Sequence, residues 1–168
     1  MKRIISLLIV LALLLPAATM AGADYTTAQY SSTRQFLKMM DDYDIKYTWV
    51  GIDNDGDEHI TINNNNDVAG KITIHLYFDE NEENCYLRVW NLIDYYSSDA
   101  AKVYQAVNSI NHSYKYAKFY ADDSDNSVTA EMDLIYREND VGEICTEALL
   151  HITAIIDEAW PTLSAYRK

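Results

Sequence analysis

Basic residues, cysteine, proline and glycine are all scarce in this 168-residue chain, and each scarcity excludes something. Thirteen lysines and arginines stand against 26 aspartates and glutamates, a formal net charge of −13 with neutral histidines. A field of that sign repels phosphate backbones and anionic membrane surfaces, which argues against nucleic acid and lipid headgroups as partners. Two prolines and five glycines leave no room for a linker, there is no internal repeat, and the length is that of one domain. Two cysteines cannot staple a disulfide-dense scaffold. A single bridge between Cys85 and Cys145 is permitted in an oxidising compartment. Two buried thiols are the alternative, because both residues fall on apolar stripes.

Long apolar runs are also missing, with one exception at the N-terminus. After Met1-Lys2-Arg3, residues 4–15 are apolar apart from Ser6, and Pro16 and small residues follow as far as Ala23. Charged, apolar and small-residue zones in that order form a cleavable export signal. The run falls short of the roughly 20 residues that span a bilayer. Ala21-Gly22-Ala23 supplies an A-x-A site, so cleavage is expected after Ala23, with Ala21 as the alternative. Residues 1–23 are then a signal peptide and residues 24–168, 145 of the 168, a single mature domain. With Lys2 and Arg3 gone, 11 basic residues against 26 acidic ones leave a charge of −15. The protein is expected to be secreted or held at the cell envelope, with no membrane span after cleavage.

Hydrophobic periodicity divides the remainder. Residues 24–42 read as a helix with Phe36, Met40 and Tyr43 on one face. Residues 45–52 and 59–62 flank the turn cluster Asp53-Asn54-Asp55-Gly56-Asp57 and read as a hairpin, with residues 63–67 as a loop. Residues 71–78 alternate strictly, with Ile72, Ile74, Leu76 and Phe78 inward and Lys71, Thr73, His75 and Tyr77 outward. Residues 85–93 continue the pattern and make a second hairpin. Ser97-Ser98-Asp99 offers helix caps ahead of a stripe of Val103, Val107, Ile110 and Tyr114. Residues 115–121 and 127–136 form a third hairpin. Asp140 and Glu143 look like a capping box opening a closing helix whose regular part ends at Pro161. The expected fold is α+β in the order α-β-β-β-β-α-β-β-α, an antiparallel sheet of about five to six strands with three helices packed on one face.

Several strings then resemble a known family. Val107-Asn108-Ser109-Ile110-Asn111, Lys118-Phe119-Tyr120 and Val128-Thr129-Ala130-Glu131-Met132-Asp133-Leu134 are similar to the core of the YbjN family, which shares its fold with the type III secretion chaperones. The resemblance covers residues 24–159 by element order, with residue-level likeness in the central third. It implies a domain, often dimeric, that holds other polypeptides and has no established catalytic residues to carry over. An export signal departs from family members that are largely cytoplasmic, and so stands against a chaperone role inside the cell.

Chemistry-bearing motifs are few. Asp53, Asp55 and Asp57 sit at positions 1, 3 and 5 of a run resembling the start of a calcium loop. The glycine falls at position 4 instead of 6, and position 12 is Asn64, so a solvated hairpin turn is the better reading. His59, His75, His112 and His151 lack metal-type spacing, and no G-x-S-x-G nucleophile elbow is present. No cofactor is implied. Fourteen tyrosines against three phenylalanines put amphipathic rings on surfaces. Tyr77, Tyr86, Trp90 and Tyr120 lie opposite the expected core, where they would form an aromatic patch if helices cover only one face. Such a patch suits a protein or peptide partner, a glycan or a second copy of the chain. An exported, non-enzymatic binding module is therefore the leading expectation. An extracellular hydrolase or a weak calcium-binding domain are the alternatives.

Overall fold

A computed structural model describes residues 25–137 and 139–168, so the expected export signal, residues 1–23, lies outside the described residues. Six strands form one antiparallel sheet: β1 (Thr48–Ile52), β2 (Glu58–Asn66), β3 (Gly70–Phe78), β4 (Asn84–Asp94), β5 (Lys118–Asp122) and β6 (Ser127–Ile135), in the spatial order β1-β2-β3-β4-β6-β5. Among the described residues three α-helices accompany them: α1 (Ser31–Asp42), α2 (Ala100–Ser113) and α3 (Val141–Leu163). The expected class, element order and one-sided helix packing hold.

Period-two patterning sorts each strand into two faces. Ile60, Ile62, Ile72, Ile74, Leu76, Phe78, Cys85, Leu87, Val89, Val128, Ala130 and Met132 are buried in one core with Phe36, Leu37 and Met40 of α1, Val103, Val107 and Ile110 of α2, and Cys145, Leu149, Ile152 and Ile156 of α3. Each such side chain removed from water contributes roughly 1.5–3 kcal/mol, so register is set by this face. A slip of one residue would turn the whole set outward.

The first helix is fixed from below by the sheet. Its N-terminus points amides at two carboxylates, and Glu82 accepts the Ser32 amide at 2.7 Å. Glu58, fully buried, accepts the amides of Gln29 and Tyr30 at 2.7 and 2.9 Å and the Trp49 indole N–H at 2.7 Å. Negative charge here satisfies orphan donors and opposes the positive end of the helix dipole.

Several local expectations need correction. Residues 63–66 are strand, not loop: β2 and β3 stay paired from Glu58↔Phe78 to Asn66↔Gly70. The inward-facing asparagines survive burial because Asn64 donates to Asn66, which donates to the Thr153 carbonyl of α3 at 2.9 Å. The turn that follows is held by the Asp157 carboxylate, which accepts the amides of Asp67, Val68 and Ala69. Helix α1 starts at Ser31, after a short 3-10 turn at Tyr25–Thr27, and Tyr43 is exposed just beyond its end. Asp140 makes no side-chain cap to α3, because its carboxylate accepts the Arg137 amide on the upstream side. Pro161 sits within the last turns of α3, where the helix runs on to Leu163.

Candidate functional site: the uncovered sheet face

With the helices on one side, the outward residues of the strands meet on the other. Register places them in rows. One row runs Gly51, His59, Tyr77, Tyr86, Asp133, and the next runs Thr61, His75, Arg88, Glu131, Lys118. Tyr77 and Tyr86 are thus direct neighbours. Trp90, two residues beyond Arg88, stands at a bulge where Trp90, Asn91 and Leu92 oppose Thr129 alone, between the pairs Val89↔Ala130 and Ile93↔Val128. Asn91 absorbs the bulge with a positive φ of 50°. Bulges re-aim side chains, and Trp90 is left 45% exposed. Tyr120, half-buried, is in register with Thr129 on the same face. All four aromatic residues singled out from the sequence lie on strands opposite the core.

Ring stacking orders the centre of this face. His59 stacks on Tyr77 with centroids 4.4 Å apart and planes 13° apart. His59 and His75 also stack, at 5.1 Å and 19°, and His59 Nε2 lies 2.9 Å from His75 Nδ1. One nitrogen of that pair donates and the other accepts, so both cannot carry a proton there. Burial pushes the His59 imidazole below its ordinary range; the facing His75 adds to this, and Asp53 opposes it. Burial does the same to His75. The pair is therefore held neutral near pH 7.

Beside the rings stands one guanidinium. Arg88 donates to Asp133 at 2.7 Å, lies 3.6 Å from the Glu131 carboxylate and sits 5.7 Å over the Tyr86 ring. Its side chain is only 17% exposed, so both carboxylates and the ring hold it in one geometry. Burial raises the Tyr86 phenol, with nearby Asp79 and Asp57 adding to the effect, and it remains a neutral donor. The face thus offers flat rings, phenol and imidazole donors, and an acidic flank. These groups suit recognition, and no activated nucleophile stands among them.

The other residues singled out from the sequence lie elsewhere. Asp53 uses its carboxylate to close the β1–β2 turn, accepting the amides of Asp55 and Asp57 at 2.9 and 3.0 Å. Asp57 is pushed above the usual carboxylate range by partial burial and by Asp53, Asp79, Asp55 and Glu80 around it. Among the described residues, no group of three or more His, Cys, Asp or Glu side chains is placed to hold a metal ion. Cys85 on β4 and Cys145 on α3 are free thiols, both fully buried. Burial drives the Cys85 thiol well above its ordinary value, which makes it a poor nucleophile.

Sequence reasoning missed the His59–His75 contact and the Arg88 clamp. The signal for the first was present, since both histidines fall on outward positions of neighbouring strands. Reading residues 63–67 as a loop hid the register that joins them.

A helix-backed antiparallel sheet with one ordered aromatic and polar face defines a two-layer α+β domain. The chain belongs to the YbjN family: residues 32–156 match the family model, described as "Putative bacterial sensory transduction regulator". Among solved structures it is similar to the crystal structure of YbjN from E. coli, with 15% sequence identity and a TM-score of 0.49, covering 73% of this chain and 87% of that one. No curated protein matches the chain. Among the described residues, no helix is long and apolar enough to cross a membrane.

Proposed function

We propose that this chain is an exported, non-enzymatic binding module that engages a polypeptide partner through the uncovered face of its sheet. The observation that carries the reading is the ordered face itself. His59, His75, Tyr77, Tyr86 and Arg88 are half-buried and locked by stacking and ion pairing, with Trp90 exposed at its margin. A face that only had to meet water would not need a half-buried arginine held between two carboxylates and the Tyr86 ring. Aromatic residues and arginine are the side chains enriched at interface centres. The family's description as a regulator of sensory transduction supports action by binding over turnover. Export is supported by the order of charged, apolar and small residues across residues 1–23.

The test is a pull-down with the mature chain as bait against envelope and secreted fractions of the source cells. The expected result is a partner recovered in stoichiometric amount from the wild type and lost when Tyr86 and Trp90 become alanine. A partner retained equally by the folded Tyr86→Ala/Trp90→Ala variant would place the interface elsewhere.

A further inference from the structure

The sheet has a second unpartnered feature, at its lateral edge. Strand β5 covers only the first part of β6, from Asp122↔Ser127 to Lys118↔Glu131. Residues 132–135 pair with β4 on one side, through Leu87↔Met132 to Asn84↔Ile135. On the other side no strand among the described residues meets them. The cause lies just upstream. The Tyr114 hydroxyl donates to Glu158 of α3 at 3.0 Å and Ala117 is fully buried, so the chain descends from the helix layer and joins the sheet only at Lys118. In an antiparallel strand alternate residues direct both N–H and C=O to the same side. Two of these four residues therefore present unpaired backbone groups outward.

A depression of about 310 Å³ runs alongside this edge. Met132 and Leu134 form its inner wall, and Ile144 and Ala148, one turn apart on α3, form its outer wall. Tyr116, stacked on His151 with planes 10° apart, closes one end. Tyr116 is 72% exposed and Ile135 is 82% exposed, the most exposed large apolar side chains among the described residues. Asp133 and Glu147 line the depression, and no lysine or arginine does.

We propose that this edge is a second binding site, taking an extended peptide segment of alternating apolar and basic residues by strand addition. Backbone pairing to residues 132–135 supplies register. Every second side chain enters the depression against Met132, Leu134, Ile144 and Ala148, while the others lie beside Asp133 on the opposite face. The acidic lining, exposed Glu147 above all because Asp133 already accepts from Arg88, selects basic side chains. It also stands against a second copy of this chain, whose own Asp133 and Glu147 would be brought face to face. The site shares Asp133 with the uncovered face but takes its apolar contacts from the helix side of the sheet.

The probe is a fluorescein-labelled octapeptide of alternating isoleucine and lysine, titrated into the whole protein and followed by anisotropy. Saturable binding is expected, with slowed amide exchange at residues 132–135. N-methylation of alternate peptide amides removes backbone pairing without touching the protein, and should weaken binding by about tenfold or more. Ile144→Lys should weaken it by about fivefold, while Trp90→Ala should leave it unchanged. The site is refuted by no saturable binding to folded protein, by equal affinity for the N-methylated peptide, or by sensitivity to Trp90→Ala but not Ile144→Lys. A dimer with residues 132–135 protected in the absence of peptide would also overturn it, by giving the edge to a second copy.

Discussion

His59 Nε2 lies 2.9 Å from His75 Nδ1 across the β2–β3 hairpin, with the two rings nearly parallel and Tyr77 stacked on His59. Only one proton fits between those nitrogens. The charged groups facing the pair are Asp53 from the β1–β2 turn and Arg88, which stands opposite His75 on β4. Both imidazoles are held below the ordinary value of 6.5 that they regain on unfolding. Over the interval below pH 6.5 the unfolded chain binds more protons than the folded one. Stability from this source is therefore complete above pH 6.5 and declines as pH falls through 6.5 towards the folded values.

Replacing both histidines should flatten that part of the profile. For the His59→Gln/His75→Gln variant, the loss of stability between pH 7 and pH 5, measured by urea denaturation, is expected to be smaller than for the wild type. Parallel profiles would show that the pair does not titrate on unfolding. In the wild type, protonation also adds positive charge beside Arg88, so partner binding through this face should change over the same interval.

Glu58 carries three donors from two segments, the amides of Gln29 and Tyr30 ahead of α1 and the Trp49 indole on β1. In Glu58→Gln one carboxylate oxygen becomes an amide that meets donors with a donor. The expected cost is about 1.5–3 kcal/mol, the range for hydrogen bonds to charged groups, or a fall in Tm of roughly 3–12 °C. A change under about 0.5 kcal/mol, no more than an ordinary surface substitution, would mean that the start of α1 is anchored by other contacts.

Cys85 on β4 and Cys145 on α3 are both buried in the one hydrophobic core. If the proposed export takes the chain through an oxidising compartment, the pair is expected as a disulfide in place of the two free thiols seen here. Intact-mass measurement of material recovered from the envelope or medium should then read about 2 Da below the reduced mass, with no alkylation after denaturation. Two alkylated cysteines in exported material would show that the pair is a buried dithiol. Cys85→Ala should in either case destabilise the fold, because it leaves a void beside Tyr136 and Phe78.

The strands were legible wherever apolar residues alternated without interruption. The stretch from Ile72 to Phe78 reads the same in sequence and structure, because burial on one face leaves no other register. Asn63 to Asn66 did not read as strand, since asparagine signals a turn when its partners are unknown. Its hydrogen bonds to Thr153 come from a helix 87 residues away. Helix termini were lost for the same reason. Glu58 and Glu82 cap α1 from the sheet, and no local pattern announces a cap supplied 28 and 50 residues downstream. The aromatic face was foreseeable from alternation alone. Its internal order was not, because the His59–His75 pair and the Arg88 clamp depend on which strands become neighbours.

Site-specific photocrosslinking tests the central claim most directly. A benzoylphenylalanine placed at Trp90, on the margin of the uncovered face, is compared with one at Lys102, exposed on α2 on the helix side, each in the full-length protein in its own cells. The account expects a discrete crosslinked polypeptide from position 90 and none from position 102. Crosslinks from position 102 alone would contradict it and move the interface to the helices.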